Sequence, residues 1–126
     1  MNIPNDLKYT KEHEWVRIDG DIIIVGITDH AQSELGDIIF IEFPELNQLI
    51  SKDEPFGTIE AVKTVADLFG PVTGKVLEIN EALEDNPDLV NSDVYGEGWI
   101  VKITCANDSE LDDLLDSEKY KEMINQ

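Results

Sequence analysis

From Glu14 to Thr104, apolar residues come in short runs, most of them alternating with polar ones, and glycine, proline, asparagine or aspartate closes nearly every run. Period-two alternation turns one face of a strand to a core and the other to water, and such frequent breakers leave no room for a long helix. Glu14-Trp15-Val16-Arg17-Ile18 reads as a strand, Asp19-Gly20 as a hairpin turn, and Asp21 to Ile27 as the β-branched return strand. Asp37 to Phe43, ended by Pro44, Phe56 to Val62, Val65 to Phe69, Lys75 to Ile79 and Trp99 to Thr104 read as further strands. Many short strands with turn signals between them predict a sandwich or a small barrel. Gly36-Asp37-Ile38-Ile39-Phe40 and Gly74-Lys75-Val76-Leu77-Glu78 both start a strand after glycine, a weak internal echo that suits two similar halves around one core.

Three segments depart from the β pattern. Thr28 to Leu35 reads as a short helix, capped by Thr28 or Asp29, with Gln32 placed as in a capping box and Gly36 at the left-handed C′ position. Asn80 to Gly98 reads as an acidic, solvated loop with one helical turn near Glu81 to Leu83. At the C-terminus, Leu111, Leu114 and Leu115 fall at i, i+3 and i+4, which predicts a helix capped by Asp108 or Ser109, running to Lys119 and Lys121 and packed on the sheet.

The chain has 126 residues, which suits one core and one domain over 1–126. Its net charge of −19 repels phosphate backbones and anionic bilayers, which excludes nucleic acid and membrane surfaces as partners. The same field either serves solubility alone or steers the chain toward basic faces of partner proteins. No apolar run approaches the ~20 residues of a membrane span. The polar stretch Met1 to Lys11 predicts neither a secretory signal nor an organellar transit peptide. Cys105 is the one cysteine, so no internal disulfide forms; it reads as a core thiol at a strand end in a reducing compartment.

The chemistry concentrates at Gly57-Thr58-Ile59-Glu60-Ala61-Val62-Lys63-Thr64-Val65-Ala66-Asp67-Leu68-Phe69. Lys63 interrupts two apolar strand segments and therefore tops a tight turn. An amine to be acylated must protrude into water, and stiff flanking strands fix where it stands. From spacing alone, an exposed lysine at a turn is usually just a solvated turn residue. No metal-ligand spacing is present: Glu84 to Asp93 is acidic but lacks the positioned glycine and closing glutamate of a calcium-binding loop. His13 and His30 form no nucleophile–base set with Cys105 and read as structural histidines; Trp15 and Trp99 read as core or interface anchors.

Glu60-Ala61-Val62-Lys63-Thr64 resembles the Glu-Ser-Val-Lys-Ala lipoylation motif of the glycine cleavage system H-protein family. The resemblance covers nearly the whole chain. It includes Leu7-Lys8-Tyr9 with His13-Glu14-Trp15-Val16, Gly26 to Gln32 followed by Leu35-Gly36-Asp37, and Asp67-Leu68 with Pro71 to Val76. It continues through Asn80, Leu83, Pro87, Leu89-Val90-Asn91 and Tyr95 to Trp99. Ala61 and Thr64 replace the usual Ser and Ala, Gly70 and Val94 stand where Ala and Pro are common, and Asn47 takes the place of a frequent turn glycine.

The resemblance implies a mainly β lipoyl/biotinyl-type flattened barrel, or barrel-sandwich hybrid, with a short internal helix and a C-terminal helix. It implies a carrier rather than an enzyme, with lipoate covalently attached to Lys63. Its partners would be a pyridoxal-phosphate glycine decarboxylase, a tetrahydrofolate-dependent aminomethyltransferase, an FAD- and NAD-dependent dihydrolipoyl dehydrogenase and a lipoyl-attaching enzyme. It implies recognition of the hairpin through Glu60, Val62 and Thr64. Glu14 and Asp67 are the candidate carboxylates of a cleft for the loaded arm. From their positions alone, Glu14 reads equally as a solvated strand-end acid and Asp67 as an outward-facing strand residue. Some relatives have a small hydroxyl residue where Glu12 stands and a histidine where Glu34 stands, so against these the chain adds negative charge. Bacterial cytoplasm is the expected location, or the mitochondrial matrix for a processed chain. Other readings are a biotin carrier, which calls for methionines where Val62 and Thr64 stand, a relay or store of lipoyl groups for other complexes, and an unmodified acidic binding domain of the same fold.

Overall fold

A computed structural model describes residues 1–125 of the chain. Among the described residues, nine strands make two sheets. Strands β1 (Lys8–Tyr9), β2 (Glu14–Asp19), β3 (Ile22–Ile27), β5 (Leu49–Ile50), β8 (Gly74–Ile79) and β9 (Val101–Thr104) form a six-stranded sheet in the order β1-β2-β3-β9-β8-β5. Strands β4 (Ile38–Glu42), β6 (Pro55–Ala61) and β7 (Val65–Phe69) form a three-stranded sheet in the order β4-β6-β7. The alternation explains the register. Ile41, Ile59 and Ala66 stand in one row across the small sheet and face the core, while Phe40, Glu60 and Val65 stand in the next row and face outward. The inward rows of both sheets join in one cluster that includes Val16, Ile23, Val25, Ile41, Ile59, Leu68, Val76 and Ile103.

The β2–β3 hairpin turns at Gly20-Asp21, one residue later than the expected Asp19-Gly20, because Asp19 still pairs with Ile22; Gly20 takes the left-handed position at φ 62. Asn47 fills the position of a turn glycine at φ 68, a left-handed conformation that asparagine tolerates. The two echoing segments become β4 and β8, which lie in different sheets. Gly26 is required by a close approach: a Cβ there would lie 2.6 Å from the indole of Trp15, its partner across β2–β3. Trp15 is fully buried and donates from Nε1 to Val94 O at 2.8 Å, so its ring cannot give way. Gly26→Ala is therefore expected to destabilise the fold by about 2 kcal/mol, read as a lower denaturant midpoint with an unchanged slope.

Two expectations need correction. The acidic stretch 80–98 is not a plain solvated loop. It holds two helical turns, α2 (Ala82–Asp85) and α3 (Leu89–Ser92), which bury Leu83 and Val90. Its charged residues face water because these few apolar ones seat it on the core. Nor does one helix present Leu111, Leu114 and Leu115. Asp108–Asp113 is a 3-10 turn whose N-cap is Asn107, and Leu114 is extended. Leu115 then exchanges two 2.8 Å backbone hydrogen bonds with Tyr9 at the edge of the large sheet. A tight turn followed by extended chain satisfies the same apolar spacing, and the extended chain gains the two backbone bonds to Tyr9 that a helix through Leu115 would forgo. The C-terminal helix starts afresh as α4 (Ser117–Met123), where Asp116 accepts from the Lys119 N–H at 2.8 Å. Tyr120 on α4 packs with Tyr9, Trp15, Leu7 and Ile3 in a second cluster.

Candidate functional site

Strands β6 and β7 end in the turn Ala61-Val62-Lys63-Thr64, closed by an Ala61 N–H to Thr64 O hydrogen bond of 2.8 Å. Lys63 stands exposed at its tip and takes part in no ion pair or side-chain hydrogen bond among the described residues. Val62 beside it is 72% exposed, and Thr64 is exposed as well. Glu60 is half-buried in the outward row of β6. The three residues expected to mark the hairpin for recognition thus stand on the tip and its outer face.

The turn is braced from the side. Its Val62 N–H donates to Asp37 O at 3.0 Å, just after helix α1 (Asp29–Leu35). Thr28 caps α1 by accepting the Ala31 N–H at 3.2 Å, and Gln32 Nε2 donates to Asp29 Oδ1 at 2.8 Å, a variation on the expected capping box. Asn91, on α3, locks the far end: its Nδ2 donates to Gly36 O at 2.9 Å and Gln32 Oε1 at 3.0 Å, while its Oδ1 accepts the Ile38 N–H at 3.0 Å. Gly36, at φ 82, has a specific use. A Cβ on it would lie 3.3 Å from Lys63 Cε, so the lysine stem passes over bare backbone at the end of α1.

A cleft of about 480 Å³ opens between α1, β7 and the segment before β2. Its apolar walls are Ile27, Ala31, Leu35, Ile59, Ala66, Leu68 and Phe69, and its polar ones Glu12, His13, Glu14, His30, Glu34 and Asp67. Both candidate carboxylates therefore reach one cavity. Asp67 is exposed at its mouth; Glu14 is 2% exposed, which removes the solvated strand-end reading. Glu14 Oε1 accepts from Thr10 Oγ1 at 2.8 Å and Oε2 from the Phe69 N–H at 3.1 Å. Burial outweighs both bonds and pushes its carboxyl up to about 8. Three consecutive residues, Glu12 to Glu14, line the cleft because His13 sits at φ 68, which breaks the alternation of an extended chain.

The histidines are placed more pointedly than a structural role suggests. His13 and His30 face one another across the cleft lining, ring centroids 4.8 Å apart. Burial, and then His30, lower the His13 imidazole below the usual range. Thr10 and Phe69 as partners of Glu14, and Asn91 as the lock on α1, are functional neighbours that only the folded chain brings together. Cys105 is half-buried at the end of β9 against the core, and Trp99 is half-buried with Lys102 Nζ 4.7 Å above its ring.

The arrangement suits a tethered group. A free amine stands on a rigid corner, its stem lies on a glycine floor, and a cleft nearby offers aliphatic walls for a hydrocarbon arm and carboxylates for a cation. No group of three or more His, Cys, Asp or Glu side chains among the described residues could hold a metal ion.

The family model for the glycine cleavage H-protein matches residues 7–126. The chain is 57% identical over 125 residues to the glycine cleavage system H protein of Bacteroides thetaiotaomicron, covering 99% of each. It is 52% identical over 126 residues to that of Staphylococcus carnosus, covering the whole of both. A crystal structure of a glycine cleavage system H protein from Mycobacterium marinum superposes with a TM-score of 0.87 at 34% identity, over 98% of this chain and all of that one.

Proposed function

The chain belongs to the glycine cleavage H-protein family, and on that footing we propose that Lys63 is its point of lipoate attachment and that the cleft holding Glu14 and Asp67 receives the loaded arm. It is a lipoylated carrier of the glycine cleavage system, not itself a catalyst. It takes the aminomethyl group from glycine decarboxylase to the tetrahydrofolate-dependent aminomethyltransferase and passes electrons to dihydrolipoyl dehydrogenase. The whole of 1–126 acts as one carrier unit.

The observation that supports Lys63 most directly is its exposed place at the tip of the β6–β7 turn, which the Ala61–Thr64 and Val62–Asp37 backbone bonds hold rigid. When bound, lipoate supplies a redox-active dithiolane that accepts the carbon unit and is later reoxidised. The residues do the rest. The β6–β7 corner fixes the origin of the swing, and the Val62–Asp37 bond holds that corner to α1. Ala31, Leu35 and Leu68 keep water from the arm; Glu12, Glu14 and Asp67 attract a protonated amine. Glu60, Val62 and Thr64 present the hairpin to the lipoyl-attaching enzyme.

The relatives are bacterial, and no helix among the described residues is long and apolar enough to cross a membrane. A bacterial cytoplasmic setting fits both, together with a single unpaired cysteine. Intact-mass measurement of protein from its native host, followed by peptide mapping, tests the assignment. One lipoyl-sized increment on the peptide containing Lys63 is expected. An increment on any other lysine would overturn it.

A further inference from the structure

Behind the cleft, α4 places a side chain that the carrier reading leaves unused. Tyr120 is fully buried and stacks on Tyr9 at a centroid distance of 4.7 Å. Its hydroxyl lies 2.7 Å from Thr28 Oγ1 and 2.8 Å from His13 Nδ1. Thr28 Oγ1 already accepts the Ala31 N–H as the cap of α1. Two proton arrangements fit these distances and give the buried Tyr120 hydroxyl an acceptor for its own proton. In one, Thr28 donates to Tyr120 and Tyr120 donates to His13 Nδ1. In the other, His13 Nδ1–H donates to Tyr120 and Tyr120 to Thr28. The second strands the Thr28 hydroxyl proton, for which the described residues offer no other acceptor, at a residue with no exposure to water. The first uses every proton and every acceptor.

We propose that Tyr120 is a positioning residue of the cleft: the relay from Thr28 through Tyr120 to His13 Nδ1 holds the His13 imidazole neutral, with its proton on Nε2. Protonating Nδ1 would reverse the relay and orphan the threonine proton, so the hydrogen bonds and the burial act in the same direction. His30 and Glu34 face His13 from α1, Glu12 and Glu14 flank it in the chain, and Asp67 lies on the β7 wall of the same cleft. Glu12 and Glu34 favour an imidazolium; the relay, burial and His30 oppose it. The consequence is electrostatic. A charged His13 would repel an ammonium cargo, whereas a neutral one leaves the carboxylates to set the sign of the cleft. The backbone of His13 is left-handed, an uncommon conformation for a non-glycine residue, and its bonds to Thr10 O and the Thr28 N–H hold it there.

The bearing on cargo rests on the cleft being the arm's resting place; the relay itself does not. Proton–nitrogen NMR of the full chain without lipoate tests the relay directly. At pH 7 native protein is expected to show an unprotonated Nδ1 and a protonated Nε2 at His13. An imidazolium or an Nδ1–H tautomer there would overturn the proposal without any variant. In Tyr120→Phe, which keeps the ring and its stacking, the His13 titration midpoint is expected to rise by roughly half a unit or more and the tautomers to mix. Tyr9→Phe, which loses a hydroxyl bonded to Pro4 O instead, is expected to leave His13 unchanged. Equal titration in native and Tyr120→Phe protein, or an equal shift in Tyr9→Phe, would refute the relay. With the relay upheld, cargo retention unaffected by Tyr120→Phe below the new midpoint would count against the resting place alone.

Discussion

Lys63→Arg is expected to yield a folded protein that accepts no lipoyl group and supports no glycine cleavage. A guanidinium keeps its proton at any accessible pH, so it offers no nucleophilic nitrogen for acylation even though size and charge are nearly kept. The native lysine is exposed and free of ion pairs among the described residues, so the change in stability is expected to stay within about 0.5 kcal/mol. Intact mass after incubation with the attaching enzyme and lipoate reads the first outcome, and thermal unfolding the second. Turnover in the reconstituted four-protein system is expected to fall to background. A lipoyl increment surviving on the arginine variant would place the arm elsewhere.

Glu14→Gln is expected to act in opposite directions on the bare and the loaded protein. Burial raises the native carboxyl to about 8 from an ordinary value of 4.5. Below the ordinary value the acid is neutral in both folded and unfolded chains. As pH rises from there to about 8, the unfolded chain ionises and the folded one resists, so stability is lost across that window. At about 1.4 kcal/mol per unit, the loss amounts to a few kcal/mol at most. Glutamine cannot ionise, so denaturant midpoints of the bare variant are expected to vary less between pH 5 and pH 8. The loaded protein reverses the sign. A protonated amine entering the cleft would favour the Glu14 carboxylate, so cargo arrival at neutral pH is expected to release a proton from this residue. Glutamine retains shape but forfeits a charge-assisted hydrogen bond, and cargo loss is expected to accelerate by roughly 10-fold or more. Equal release from both proteins would remove Glu14 from the cargo site.

The strand pattern was legible because period-two alternation is local: Glu14 to Ile18, Val65 to Phe69 and Lys75 to Ile79 needed only their own residues to be read. Lys63 was legible as a tip for the same reason. What surrounds it was not. Glu14 could be read as a solvated strand-end acid or as a cleft carboxylate until the fold buried it against Thr10 and the Phe69 N–H, the latter from 55 residues away. The C-terminus misled because three leucines at helical spacing also satisfy a 3-10 turn followed by a strand edge. No local signal marks Tyr120, whose partner His13 lies 107 positions earlier.

The two chain ends meet in the second cluster, where Leu7 and Tyr9 from one end pack with Tyr120 from the other. A protease that trimmed either segment would remove part of that cluster. Clipping the polypeptide after Leu115 would leave the lysine corner intact and open to modification, yet strip the backing from the cavity. Where such a fragment still folds, it is expected to acquire its arm and yet fail to shelter what the arm brings home.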